Sequence, residues 1–336
     1  MSMIKTALKK NGDVRLDSLP PRELPPDGIR LRVEACGICG TDLHRNPESD
    51  DKESPFGHEI AGTIIEVGHK VVGLETGQRV ILESATACGK CDACRNTQQE
   101  LCTGLRSFFG MRSFGFAGEM IAPAISAIPC EDVPPDIACL SEPLGVAIDM
   151  VRLADITADS NVLLMGPGPI GLMALQLARM KGARRVFLSA FERNTARVAL
   201  ARKIGVDAVV DPSKDSLADF DFGCKIDRIL VTTPPPTLAD AFAVASKGAI
   251  ISFIGIAFGE NAFCRFDVNA FHFKKLQLRA SFASPALQTP LALQYLRESR
   301  VNGNDFISHR FPLDAIGEAM RTARDGSRAV KVIVQP

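Results

Sequence analysis

The rhythm of hydrophobic and polar positions changes once along the chain. Over the first 130 residues, apolar and charged residues alternate in short runs, as in Ile29-Arg30-Leu31-Arg32-Val33-Glu34. A period of two is that of a strand with one buried face. Pro20, Pro21, Pro25 and Pro26 mark a loop before that run. Ile60 to Gly68 and Gln78 to Leu82 read as further strands separated by glycine turns. This part is β-rich, interrupted by a polar, cysteine-rich loop at 84–104.

Near residue 150 the pattern becomes one of strands and helices in turn. Asn161 to Met165 is a mostly apolar run that reads as a buried strand, followed by glycine-rich sequence and a helical stretch from Leu172 to Lys181. Arg185 to Ser189 is the next strand, then a helix through Lys203. Ala208 to Val210, Arg228 to Thr232 and Ala249 to Gly255 continue the series. Such alternation predicts βαβ units around a parallel sheet. At the end, a helix over Asp314 to Arg324 precedes a strand over Ala329 to Val334.

Length and composition narrow the class. The 336 residues suggest two domains. With 46% hydrophobic and 23% charged residues, the chain can bury a large core. Lys+Arg and Asp+Glu balance at 39 each, which gives no footprint for nucleic acid or an anionic membrane. No apolar run reaches about 18 residues, so no transmembrane helix is expected. Met1 to Lys10 has no apolar signal region, which predicts a cytoplasmic protein. Reducing surroundings make disulfides improbable for the ten cysteines, and clustered thiols there point to metal.

Three constellations carry chemistry. Gly166-Pro167-Gly168-Pro169-Ile170-Gly171 fits the dinucleotide fingerprint and lies between a strand and a helix, the context that gives the motif meaning. Gly166 permits the tight turn, Gly168 lets backbone approach a pyrophosphate, and Gly171 lets helix pack on strand. Pro169 and Ile170 open the helix whose N-terminus receives the phosphates. Cys88, Cys91, Cys94 and Cys102 have the spacing of a closed, structural zinc tetrahedron. Cys39, His58 and Glu59 offer a thiolate, an imidazole and a carboxylate within a short stretch, the kind of set an open catalytic zinc requires. Spacing alone leaves a second reading of that set: a satisfied core histidine, a surface glutamate, and buried thiols at Cys36 and Cys39.

In combination, these stretches resemble the zinc-dependent medium-chain alcohol dehydrogenase family, and within it the polyol and threonine dehydrogenase branch. The motifs run in the family's order: Gly37 to Asp42, Gly57-His58-Glu59, the four-cysteine lobe, Ser141-Glu142-Pro143-Leu144, Gly166 to Gly171, and Lys331-Val332-Ile333-Val334. The resemblance implies an α/β fold. It places a β-rich GroES-like catalytic domain over 1–146, completed by 282–336, and a Rossmann doubly wound parallel-sheet domain over 147–281. The active site is then expected in the cleft between them. It makes Cys39 rather than Cys36 the catalytic-zinc thiolate, His58 the imidazole ligand and Glu59 the adjacent carboxylate. Glu142 becomes the branch's further ligand, directly or through water. Thr41 matches the hydroxyl that meets the substrate oxygen, and His44 the histidine that ends a proton relay through the cofactor ribose. Two zinc ions per chain, a nicotinamide cofactor, a small-molecule alcohol and a homodimer or homotetramer follow.

NAD is expected over NADP because an acid past the glycines binds the ribose 2′-OH. Counting along the strand puts Ala190 at that position, whereas counting back from the next helix through Arg197 puts Glu192 there. The helix count favours Glu192, with Arg193 and Arg197 the residues that would otherwise hold a 2′-phosphate.

Departures from the family bear on specificity. The segment from His44 to His58 is short and acidic, with Glu48, Asp50 and Asp51 expected to rim the substrate cleft. Ala283-Ser284 replaces an Arg-Tyr pair of animal sorbitol dehydrogenases, Asp149 stands for a histidine, and Val231 to Pro236 replaces the usual turn beside the nicotinamide. With Ser281 and Ser284 nearby, the pocket is expected to suit a polyol, sugar or sugar acid with a secondary hydroxyl. Simple alcohols are the alternative substrates. A zinc-free quinone reductase or a non-enzymatic nucleotide-binding relative would lack the ligands kept here.

Overall fold

The computed structural model describes residues 3–44, 52–285 and 288–336, so Glu48, Asp50 and Asp51 lie outside the described residues. The chain divides into two compact units. One comprises Met1–Gly145, Ala283–Arg324 and Lys331–Pro336, and the other Val146–Phe282 and Asp325–Val330.

The first unit is organised by the strand Gly28–Gly37, which is almost wholly buried. It pairs antiparallel with Glu59–Val67, Glu119–Pro123 and Lys331–Gln335. Arg79–Leu82 and Ala127–Pro129 extend the sheet on one side, and Ile307–Pro312 on the other. Separately, Ile4–Lys10 and Asp13–Leu19 form a hairpin in which Lys10 pairs with Asp13. Its two-residue loop, Asn11-Gly12, has both φ angles positive (51° and 89°), the primed turn that matches strand twist. The registers matter most at one end of the large sheet. Gly37 lies opposite both Glu59 and Ile333, so the ends of three strands meet where Cys39, His58 and Lys331 emerge.

The second unit is a six-stranded parallel sheet in the order 208–210, 185–189, 161–165, 228–231, 250–253, 277–280. Numbered within the unit this is 3-2-1-4-5-6, the doubly wound order whose direction reverses at Asn161–Met165 and Arg228–Val231. Every residue of Asn161–Met165 is buried, as expected of a strand covered on both faces. Phe187, Phe222 and Phe242 fill one side of the sheet with Leu163, Ile229 and Ile251.

Residues 325–330 depart from the sequence reading, which gave all of 282–336 to the first domain. They belong with the second unit because its helix Thr195–Ile204 holds their backbone. Arg197 Nε donates to Ala329 O at 2.9 Å and Thr195 Oγ1 to Ser327 O at 2.9 Å. Arg197→Met strands the carbonyl of the buried Ala329, and urea unfolding is expected to show a loss of about 1–3 kcal/mol.

Candidate active site and metal centres

The strand Gly28–Gly37 ends into Ile38 and Cys39, and the short helix Gly40–Leu43 follows. Asp42, in that helix, is buried, and its Oδ2 accepts the Cys39 N–H at 2.9 Å, which fixes the start of the turn. Its other oxygen lies 3.7 Å from His58 Nδ1, so one carboxylate orients both neighbours. His58 comes just before the strand Glu59–Val67 and has 14% of its side chain exposed. Burial opposes its protonation, but the charges of Cys39 and Asp42 outweigh this and raise it well above its ordinary value. The surroundings therefore attract a cation.

Ligand atoms of Cys39, His58 and Glu59 all lie within 4.8 Å of one another. Glu59 is fully buried. Its Oε1 accepts from Lys331 Nζ at 2.5 Å, and the same ammonium, 1% exposed, donates to Ile38 O at 2.8 Å. Oε2 lies against the same ammonium, so Lys331 faces both carboxylate oxygens. A thiolate, an imidazole and a carboxylate are donors of the kinds that fit a zinc ion with a position to spare. Gly37 is required here, since a Cβ would collide with Glu59 Oε2 and lie 3.0 Å from Lys331 Cε.

Glu142, expected with these ligands, is buried near the start of the helix Ser141–Leu153 but stands outside the three-residue group. Burial pushes its carboxyl up to about 7, against the pull of His58. Thr41 and His44 are both exposed. The His44 carbonyl accepts from Lys9 Nζ at 2.6 Å, and the Leu43 carbonyl accepts from Arg324 at 3.0 Å, so the turn carrying both residues is tied at its end. Phe109, 45% exposed, has its ring 6.1 Å from that of His58 and offers an apolar wall there.

The sulfurs of Cys88, Cys91, Cys94 and Cys102 also lie within 4.8 Å of one another. Three of their separations are 3.5, 3.8 and 4.0 Å. Zn–S bonds of about 2.3 Å give a tetrahedral edge of about 3.8 Å, so the thiols are already at metal-binding spacing. Backbone N–H groups of Cys88 and Cys91 point at Cys102 and Cys88 sulfurs. None of the ten cysteines forms a disulfide.

In the second unit, three loops meet past paired strand ends. Met165 lies opposite Ser189 and Val231, so Gly166, the 190–194 turn and Thr232 leave the sheet together. Gly166 has φ +104°, and a Cβ there would lie 2.5 Å from Thr232 Oγ1. Thr232 Oγ1 is within 3.0 and 3.1 Å of the Met165 and Gly166 carbonyls. The helix Pro169–Met180 starts with proline in its first turn, three residues earlier than its pattern predicts.

Ala190 is buried, whereas Glu192 is exposed and pairs with Lys214 at 2.5 Å. Arg193 stacks over Phe191 at 4.1 Å, and Arg197 is engaged by the 325–330 segment. Ser281, read from the sequence as polar lining of the substrate pocket, is buried and donates to Asp149 Oδ2 at 2.6 Å. Its hydroxyl is thus committed to the residue that replaces the family's histidine. The sequence named Lys331, Thr232 and Asp42 only within longer motifs and strands, and their roles had no reading there. For Lys331 the available signal was a lone cation inside the apolar run Val330 to Val334.

Residues 25–132 match the alcohol dehydrogenase GroES-like domain, and residues 169–297 the zinc-binding dehydrogenase domain. The chain is 30% identical over 346 residues to an L-threonine 3-dehydrogenase of Rhizobium rhizogenes, covering 97% of both, and 31% identical to that of Sinorhizobium fredii, again covering 97% of both. A structure described as a zinc-binding dehydrogenase of Sinorhizobium meliloti 1021 bound to NADP superposes with a TM-score of 0.87, at 28% identity and full coverage of both chains. Galactitol-1-phosphate dehydrogenase of Escherichia coli shares the fold, with a TM-score of 0.85 at 23% identity and coverage of 99% and 100%. The chain belongs to the zinc-dependent medium-chain dehydrogenase family. It is an oxidoreductase that uses zinc and NAD(P).

The turn that carries Glu192 depends on Asp211, which accepts from Glu192 N at 2.8 Å, Ser213 N at 2.9 Å and Ser213 Oγ at 2.6 Å. Led by the Glu192 N–H, these bonds hold its carboxyl at about 2, against about 3.9 in an unfolded chain. A lowered folded pKa stabilises above the unfolded value, and the effect fades as pH falls between the two. Asp211→Asn should therefore lower the melting temperature at pH 7, with the gap from wild type closing as pH drops from about 4 toward 2.

Proposed function

We propose that the protein oxidises a secondary alcohol, of the polyol, sugar or sugar-acid class, by hydride transfer to NAD at a zinc held by Cys39, His58 and Glu59. The observation that carries this reading is the donor set itself: three ligands of three kinds within 4.8 Å, not four thiols. Glu142, buried outside the group, acts through water. A second zinc, held by Cys88, Cys91, Cys94 and Cys102, is structural.

When bound, the metal supplies Lewis acidity that lowers the alcohol's pKa, and the nicotinamide ring accepts the hydride. The residues do the rest. Thr41, exposed two positions past Cys39, would accept the substrate's hydroxyl proton as it gives up its own toward the cofactor ribose, and His44 would release a proton from the end of that relay to water. Asp42 keeps His58 in the orientation its ligand nitrogen needs. Gly166, Gly168 and Gly171 admit the pyrophosphate backbone, with Pro169 and Ile170 at the helix N-terminus.

Glu192 supports NAD, because its carboxylate would accept from a 2′-OH and repel a 2′-phosphate. Lys214 and Arg193 beside it, and the NADP in the S. meliloti relative, are what favour NADP. The resemblance to L-threonine 3-dehydrogenases supports including threonine among the candidate substrates. Among the described residues no helix is long and apolar enough to cross a membrane, in keeping with a cytoplasmic enzyme. Among the described residues the strand Gln277–Ala280 ends its sheet, beside exposed Leu278 and Phe282, which supports a homodimer or homotetramer.

Metal analysis should give two zinc ions per chain. Cys94→Ser should leave one and lower the melting temperature. Cys39→Ser should also leave one, keep the fold and abolish turnover. A single zinc in the wild type would refute the pair of sites. Reduced-cofactor formation with a panel of polyols, sugar acids, threonine and primary alcohols tests the substrate class; preference for long or benzylic primary alcohols would overturn it. NAD should exceed NADP in kcat/KM by about tenfold or more, and Glu192→Ala should narrow that gap by about tenfold, roughly 1.4 kcal/mol.

A further inference from the structure

A cavity of about 330 Å³ lies in the first unit, lined by none of the metal-binding residues. It sits where the hairpin of Ile4–Lys10 and Asp13–Leu19 meets the strand Glu119–Pro123. Leu19, Pro20, Phe114, Met120 and Ile121 give it apolar walls, and Arg22, Arg112, Ser113 and Glu119 line it as well. That volume is at the small end of the range for ligand pockets, which are mostly apolar with a few polar groups that fix orientation. Arg30, 9% exposed, donates to Arg22 O at 2.9 Å and to Glu66 Oε2 at 2.8 Å, so its charge is spent and the loop carrying Arg22 is held. The other charges are not spent. Among the described residues none of Arg22, Arg112 and Glu119 has an ion-pair partner, and Arg112 makes only a 3.5 Å contact to Ser54 Oγ. The hydroxyl of the buried Ser113 accepts from Ile121 N at 2.8 Å and donates to no group among the described residues.

We propose that this cavity binds an apolar α-amino acid. Its lining carries unpaired charge of both signs around an apolar interior. A simple carboxylate entering it would meet the like charge of Glu119, and a simple cation that of the two arginines. A zwitterion matches both. Its carboxylate takes the guanidinium groups of Arg22 and Arg112 and the proton of the Ser113 hydroxyl, and its ammonium takes Glu119. Its side chain removes the faces of Pro20 and Met120 from water.

The test is isothermal titration calorimetry of the full-length protein, which reads binding without turnover. L-leucine and L-phenylalanine are compared with isocaproate, which lacks the ammonium, isoamylamine, which lacks the carboxylate, and glycine, which lacks the apolar side chain. Both apolar amino acids should bind at a single site, and each of the three truncated compounds about tenfold or more weakly. Arg22→Gln and Arg112→Gln should each weaken L-leucine by about tenfold, the scale of one hydrogen bond to a charged group. Glu119→Gln should weaken L-leucine by a similar factor yet leave isocaproate bound as well as before or better, because a like charge has gone. Arg22 and Arg112 are exposed and Glu119 is half-buried, so the variants are expected to keep the fold and the melting temperature of the free protein. No binding of either amino acid at millimolar concentration would overturn the proposal. Isocaproate binding as tightly as L-leucine would also overturn it, by making the cavity a carboxylate site. Wild-type affinity in all three variants would do the same, by placing the ligand elsewhere.

Discussion

A charge buried at the end of a sheet needs a partner, and the first unit is built around one such pair. Lys331 and Glu59 are as buried as the aliphatic core around them. Removing either partner of a buried pair costs about 3–5 kcal/mol, because the other is left without water or counter-charge. The pair fixes more than itself. It brings the last strand of the chain against the strand end that presents Cys39 and the strand start that presents His58. The metal-ligating geometry is therefore a consequence of sheet register. A slip by one residue would turn Glu59 to the opposite face.

The two metal-binding constellations show how differently a fold can supply ligands. The four-cysteine lobe closes on itself within fifteen residues, Cys88 to Cys102, and local turns aim its N–H groups at the sulfurs. It needs little from the rest of the molecule. The three-ligand group draws on two strand ends, a buried aspartate and a lysine from the far end of the chain. An open site must keep a position free while holding the others firmly, and that rigidity comes from surrounding packing.

The dinucleotide loop follows the same logic in the second unit. Its glycine at Gly166 is dictated by Thr232 on the next strand's exit, which fills the space a side chain would take. Beside it, the turn with Glu192 is held by Asp211 through its backbone. The cationic neighbours Lys214 and Arg193 mean that discrimination at the ribose is a balance of opposed charges.

What the sequence determined by itself was whatever short-range pattern controls. The period of two gave the strand at 28–37, the apolar run gave 161–165, and the spacing of Cys88 to Cys102 gave a metal cage, since each depends on neighbours in the chain. Amphipathic or edge elements such as Ile4–Lys10, Ser141–Leu153 and Gln277–Ala280 went unread, because their burial is set by partners far away. Resemblance supplied Cys39, His58 and Glu59 as a set. Only the tertiary structure decided that Ser281 is spent on Asp149, that residues 325–330 side with the second unit, and that Lys331 meets Glu59. Each of these is a contact across many residues, and no local periodicity encodes which distant group will satisfy a buried charge or hydroxyl.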